Sequence, residues 1–348
     1  MTVSESAMLA LDARPRSIRI RLAVTLLAYG AVALVVCLLA PLVGSTSISL
    51  ARAFDRSIPF ADNVDAQIFF VARMPRVLAG AIVGAALASA GVVLQALLRN
   101  PLATPFTLGV SAGAALGAML AISFGAAVTL GPLSPVPLAS LAGAFVATAV
   151  VYALATRPGR PMSTSVLLLA GVTLNSFFSA LILFVQYMAD FTETYRTVRW
   201  LMGDLDVGGF GPIAGVGPLL AVGFAVFAML PSSLNQLSVG ADIAATRGVD
   251  VARTERLAFF SAALATSAAV ALAGPIGFIG IVVPHLVRLM TGVDHRLVLP
   301  ASALFGAAFL VGCDLVARTI IAPVEMPVGI VTAMVGAPFF LWLLVRKV

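Results

Sequence analysis

Long apolar runs alternate with short polar interruptions along almost the whole chain. A polar stretch over residues 1–21 carries Arg14, Arg16, Arg19 and Arg21, and an apolar run follows over about 22–43. Nine further runs lie at roughly 74–97, 107–125, 137–156, 165–188, 213–231, 256–273, 276–291, 299–320 and 327–345. A helix that crosses the hydrocarbon core of a bilayer takes ~20 apolar residues. The pattern therefore predicts an all-α polytopic membrane protein with ten transmembrane helices and both termini on one side. Charges ahead of an apolar run also describe a signal peptide. The first run is too long for one, however, and no clean small-x-small cleavage site follows it.

Three polar segments exceed simple turns: 44–67 and 189–211 on the predicted outer side, and 234–256 on the inner side. The other connections are tight and rich in Pro and Gly, as in Arg157-Pro158-Gly159-Arg160-Pro161. No composition break divides the chain, so residues 1–348 read as one membrane domain, with 1–20 as a cytoplasmic N-terminal segment. Basic residues favour the side carrying the termini by two to one, and acids lean the other way. An excess of Arg on one side marks the cytoplasm, so both termini are expected there.

Composition sharpens this picture. Hydrophobic residues make up 61% of the 348 and charged residues 10%, with a mean hydropathy of +1.08. Soluble domains are nearer half apolar and a quarter charged, so a soluble enzyme and a disordered chain are both excluded. The net charge of +6 belongs to the inner loops and does not suggest nucleic acid. Cys37 and Cys313 sit inside apolar runs and read as small buried hydrophobes. The lone Lys is Lys347. A phosphate-binding GxxxxGK[ST] loop needs Lys, so any ATP used must be hydrolysed by another chain.

Polar residues within the runs are few: Gln95, Asn175, Gln186, His285, Asp314 and Arg318. No HExxH, no metal-ligand spacing and no nucleophile–base set is present, which leaves a membrane enzyme without support. An ion-driven carrier would place carboxylates or His in mid-span, and the chain has almost none. Asp314 and Arg318 have the spacing of a local ion pair. Gly80 with Gly84, and Gly109 with Gly113 and Gly117, form small-residue ridges suited to close helix packing. Gly274, Gly277 and Gly280, with Pro275 and Pro284, break the chain between the seventh and eighth runs.

Several segments are specific. From Arg73 the chain reads RMPRVLAGAIVGAALASAGVVLQALLRNPLATPFTLGVSAGAALGA, and later come STSVLLLAGVTLN, VRWLMGDL, AGPIGFIGIVVPHLVRLMTGVDHRLVLPASALFGA and EMPVGIVTAMVGAPFFLWLL. Together and in this order they resemble the permease family that imports iron–siderophore chelates, haem and vitamin B12 in ABC transporters. The resemblance covers nearly all of the chain after about residue 20. It implies the type II importer architecture, with ten transmembrane helices per subunit. It further implies a homodimer with the path between subunits, two ATPase subunits inside and a periplasmic substrate-binding protein outside. Placement in the lipid of the bacterial inner membrane is implied too. The chain would bind no cofactor, with ATP and Mg used by the ATPase.

The resemblance also assigns residues. Arg73 and Arg76 of RMPR, and Arg318 following Asp314, match the family's outer arginines that meet acidic residues of the binding protein. Exposed Arg at three outer corners would orient an acidic partner; anchoring of helix ends is the competing reading. Asn100 and Leu102, with Ser163, Thr164 and Ser165, match the cytoplasmic gate, although Asn100 and Ser163 also read as simple helix caps. In the loop 234–256, Asp242, Ile243, Ala244 and Gly248 resemble the acid-Ala-Ala-xxx-Gly pattern of ATPase-docking loops, departing from it at Ile243. A short helix with a Gly break is expected there. For the substrate, an iron chelate (ferric siderophore or haem) comes first and cobalamin second, with an ion-coupled carrier as a remote alternative.

Overall fold

The computed structural model describes residues 18–126, 128–156 and 162–347. Arg14, Arg16, most of the predicted N-terminal segment and the turn 157–161 lie outside the described residues. The longer helices are α1 (Ile18–Leu39), α2 (Met74–Leu97), α3 (Val110–Ser123), α4 (Pro135–Ala155), α5 (Thr164–Met188), α6 (Gly211–Met229), α7 (Val251–Ala273), α8 (Ile279–Thr291), α9 (His295–Thr319) and α10 (Val328–Lys347). Each falls on one of the apolar runs. Among the described residues, seven segments are long and apolar enough to cross a membrane: Ile18–Leu42, Val64–Leu97, Pro135–Ala155, Thr164–Met188, Gly211–Met229, Val251–Ala273 and His295–Thr319. Val110–Ser123, Ile279–Thr291 and Val328–Leu343 are shorter apolar helices. At 1.5 Å per residue the 14 residues of α3 extend about 21 Å, less than a hydrocarbon core of about 30 Å.

The bundle has a centre and a perimeter. The apolar window of α2 is 78% buried and that of α1 only 11%. Helix α2 packs on α9, α7 and α8, while α3 packs on α4. The small-residue ridges are what allow this. A Cβ on Gly84 would come 2.2 Å from the Gly306 carbonyl oxygen, and one on Gly117 would come 2.0 Å from that of Ala139. Backbones touch at these crossings, so the ridges in α2 and α3 serve packing within one subunit.

The break after α7 is irregular backbone inside the fold. Helix α7 ends at Gly274, with φ +69°, and α8 begins after Phe278, with φ +68°. The Asp204 amide donates to the Ala273 carbonyl at 2.9 Å, and a Cβ on Gly274 would meet the Trp200 carbonyl oxygen at 2.5 Å. The segment 198–205 thus covers the break, as unpaired backbone at membrane depth requires.

The long polar segments are partly helical, which differs from the two outer loops read in the sequence and matches the short helix expected on the inner side. Residues 44–67 contain Leu50–Ala53 and Val64–Gln67, and a π-helical turn, Ile68–Arg73, leads into α2. Residues 189–211 contain the amphipathic helix Phe191–Leu201, N-capped by Asp190, whose carboxylate accepts the Glu193 amide at 2.7 Å. The inner segment folds as Pro231–Leu237 and Ala241–Thr246, and α7 starts at Val251 rather than 256. Asp250 sets that earlier start by accepting the Arg253 amide at 3.0 Å, which supplies a capping partner to the first turn.

Candidate functional site: the outer corner, the inner cleft and the short inner helix

At the predicted outer end, α1 runs on into a 3-10 turn, Ala40–Leu42, and arginines satisfy the carbonyls left open there and just beyond it. Arg73, the last residue of the π turn, donates through Nη1 to the Pro41 carbonyl at 2.9 Å and through Nη2 to that of Thr46. Arg318 donates to the Ala40 carbonyl at 3.0 Å and the Val43 carbonyl at 3.1 Å. The Asp314 carboxylate lies between two guanidinium groups, 2.9 Å from Arg76 Nε and 3.1 Å from Arg318 Nε. Arg76 Nη1 reaches Glu325 at 2.6 Å.

This corrects one expectation. Arg73, Arg76 and Arg318 were expected as exposed charges, yet they are 5%, 9% and 2% exposed. The fold buries them because helix-end carbonyls and Asp314 need donors where water is excluded. The i,i+4 pair of Asp314 and Arg318 does form, but as part of a network that Arg76 and Glu325 complete. Sequence reasoning assigned Glu325 no role, although it is the acid that opens the EMPVG segment; its pairing with the Arg of RMPR is a contact between distant segments. Arg76 also floors an outer cavity of about 600 Å³ lined by Tyr195, Arg199, Asp204, Asp206 and Glu325. Arg199 and Asp204 pair there at 3.6 Å.

At the opposite end, α2 stops at a tight turn. Arg99 adopts φ +47°, and the Asn100 side-chain oxygen accepts the Leu102 amide at 2.9 Å. Leu102 stays exposed. Ser163 caps α5, its Oγ accepting the Val166 amide at 3.4 Å, and its own amide donates to the Ala155 carbonyl at 3.1 Å. Thr164 is half-buried and Ser165 exposed. Among the described residues no hydrogen bond joins 100–102 to 163–165. Asn175 ties α5 instead to the turn after α2, donating to the Phe106 carbonyl at 2.8 Å.

The inner helix Ala241–Thr246 presents Asp242 and Ile243 outward and anchors on buried Ala244. Gly248 follows with φ +83°, which reverses the chain towards α7. The preceding helix, Pro231–Leu237, is fastened to α9 by one side chain. Asn235 donates to Asp294 at 2.7 Å and accepts the His295 amide at 2.8 Å and its Nδ1–H at 2.7 Å. Asp294 lies between α8 and α9. Hydrogen bonds from Arg296, ahead of any other influence, hold its carboxyl below the ordinary carboxylate range. Between this fastening and the α2 turn lies a cleft of about 570 Å³, lined by Gln95, Arg99, Asn100, Asn235, Arg288 and His295. Gln95 links it to the break region by donating to the Gly280 carbonyl at 2.9 Å while accepting from Arg288. No sequence signal marks this cleft, since its lining comes from separate segments of the chain.

Such an arrangement offers positioned donors, an apolar bundle and exposed short helices, and among the described residues no group of His, Cys, Asp and Glu that could hold a metal ion. Residues 32–346 match the model of the FecCD transport family. The chain belongs to the FecCD transport family. It is 44% identical over 297 residues to the cobalamin import system permease protein BtuC of Halobacterium salinarum, covering 85% of this chain and 78% of that one. Identity is 36% over 310 residues to the hemin transport system permease protein HmuU of Yersinia pestis, covering 87% and 90%. A solved inward-facing structure of a metal-chelate type ABC transporter superposes with a TM-score of 0.81 at 31% identity, covering 93% of this chain and 99% of that one. As a FecCD protein the chain is the permease subunit of an ABC importer, and ATP hydrolysis belongs to a separate subunit.

Proposed function

We propose that this chain forms, as a homodimer of ten-span subunits in the bacterial inner membrane, the path by which an iron chelate crosses from periplasm to cytoplasm. The observation that carries the reading is the family match over 32–346 joined to the fold likeness over 93% of the chain. Relatives named as hemin and Fe(3+)-citrate permeases support an iron chelate. The 44% identical relative named as a cobalamin permease favours cobalamin as the second reading. Reconstitution with its ATPase and binding protein, followed by uptake of haem, a ferric siderophore and cobalamin, tests both. Uptake of cobalamin alone selects the second reading, and uptake without ATP overturns the importer.

Each assigned segment has a part in this proposal. Both termini are cytoplasmic, on the Arg distribution. The helix Ala241–Thr246, carrying Asp242, Ile243 and Ala244 and closed by Gly248, docks the ATPase; its exposure and its Gly break support this. Asn100, Leu102, Ser163, Thr164 and Ser165 form the cytoplasmic gate with their dimer mates, for which the exposure of Leu102 is the support. Arg73, Arg76 and Arg318 serve the binding protein as positioning residues. They hold the corner, while Arg76 stays reachable for an acidic group through the outer cavity. Single Cys at Leu102 should crosslink between subunits with a yield that ATP changes; no crosslink in any nucleotide state removes the gate assignment.

A further inference from the structure

One cavity has no part in the transport reading. It lies between α1, α2, α6 and α9 and measures about 460 Å³, within the range of about 300–1,000 Å³ typical of small-molecule sites. Its wall is nearly all apolar: Leu22 and Leu26 of α1, Phe224 and Phe227 of α6, Leu299 and Leu304 of α9. Ser89 of α2 also lines it, buried and with its hydroxyl unpaired. A buried hydroxyl without a partner is costly, and a lipid ester carbonyl can take up that donor. Apart from Ser89, the lining comes from the first three turns of α1 and α9 and from the end of α6 with the Pro231 that follows it. The ends of helices that span a bilayer lie where it changes from headgroup to acyl chain.

The mouth is basic. Arg296 lines the cavity. Asp294 accepts from its Nε and Nη2 at 3.0 and 2.7 Å, and three of the five guanidinium N–H groups remain for another acceptor. Arg19 is exposed and stands three and seven residues before Leu22 and Leu26, on the same helix face. Arg21 lies on another face of α1 and donates to the Thr291 carbonyl at 3.0 Å. Arg19 and Arg296 against Asp294 leave a surplus of positive charge at the rim of an apolar cavity. Basic pockets between helices at this depth suit anionic headgroups, and Arg holds phosphate oxygens through paired donors.

We propose that this cavity binds one acyl chain of an anionic phospholipid, with the lipid phosphate held by Arg19 and Arg296. The site rests on the reading of the bundle as membrane-spanning, though not on which end faces the cytoplasm. The lipid would fix the start of α1, the least buried helix, against α6 and α9.

The test uses the full-length chain in mild detergent, titrated with phosphatidylglycerol or phosphatidylcholine of equal chain length, with bound lipid counted by native mass spectrometry. One phosphatidylglycerol per chain should be retained in preference to phosphatidylcholine. Arg19→Gln and Arg296→Gln should each weaken retention of phosphatidylglycerol about fivefold and leave phosphatidylcholine unchanged. Ala303→Phe fills the cavity and should abolish retention; Ala303→Leu is the milder substitute where the larger side chain prevents folding, judged by melting temperature without lipid. Equal retention of the two lipids, unchanged retention in the double Arg variant, undiminished retention in the filled variant, or displacement by inorganic phosphate alone would each overturn the site. Carbonate extraction of membranes holding the same chain reports separately on the membrane reading.

Discussion

The outer corner and the inner face spend their polar residues in opposite ways. Outside, Arg73, Arg76, Arg318 and Asp314 are buried, and their charges satisfy one another and the open carbonyls at the end of α1. On the inner face, Asp242 and Ile243 stand exposed on a six-residue helix seated through buried Ala244 and partly buried Ala241, next to the helix that Asn235 fastens to α9. A charge removed from water has to be paired, and loss of its partner leaves it stranded. A displayed side chain carries no such obligation, so its replacement touches partners rather than folding. The comparison therefore separates residues that shape the subunit from residues free to meet another chain.

The largest effect on stability belongs to the outer corner. Arg318→Ala removes one of the two guanidinium groups that hold Asp314, leaving it to Arg76, and opens the Ala40 and Val43 carbonyls, so it should cost about 3 kcal/mol, read as a lowered melting temperature in detergent. If Arg318→Ala instead melts like the parent while affinity for the binding protein collapses, the corner is a displayed docking surface and the contrast fails. Next comes the packing that joins the two ends. Gly84→Leu must push α2 away from α9 at the Gly306 contact and should cost about 1–3 kcal/mol or more. Gly217→Ala, with open space around it, is the matched control and should melt unchanged.

A smaller loss is expected at the fastening of the inner face. Asp294→Asn weakens the cap of α9 and the ion pair to Arg296, which should cost about 1 kcal/mol at neutral pH. The folded carboxyl titrates below its unfolded value. Its stabilisation is therefore complete above the ordinary carboxylate pKa of about 3.9 and is lost as pH falls through the folded value. The melting gap between parent and Asp294→Asn should accordingly close on acidification, and a gap that widens would contradict this. Smallest of all for stability is Ile243→Asp, expected within about 0.5 kcal/mol of the parent. The same change should sharply reduce co-purification with the ATPase, and removal of 242–249 should abolish it. A retained complex after that removal breaks the assignment of the inner face.

Much of the chain was legible before any coordinates. Apolar runs located the helices because lipid and a buried core both demand unbroken apolar sequence, and Gly84 and Gly117 announced close crossings because only a missing Cβ permits them. Runs such as 107–125 gave helices shorter than they suggested, since hydropathy cannot see where Thr104 and Gly109 start a new turn. Among the site residues, Ala241–Thr246 emerged as the expected short helix with its Gly break, because those signals are local. The exposure of Arg73, Arg76 and Arg318 was not local. It depended on where the end of α1 and Glu325 would lie, hundreds of residues apart in the chain.

By itself the sequence determined the membrane class of this protein, the places of its helices, its lack of a phosphate-binding loop and its family. These follow from composition, periodicity and ordered motifs, which act over neighbouring residues. Tertiary structure alone decided which charges are consumed and which displayed. It placed Asp314 between Arg76 and Arg318, fastened the inner helices to α9 through Asn235 and left an apolar cavity with a basic rim beside α1. Each of these depends on contacts between distant segments, and burial, which sets the energetic weight of a charge, exists only once the helices have packed.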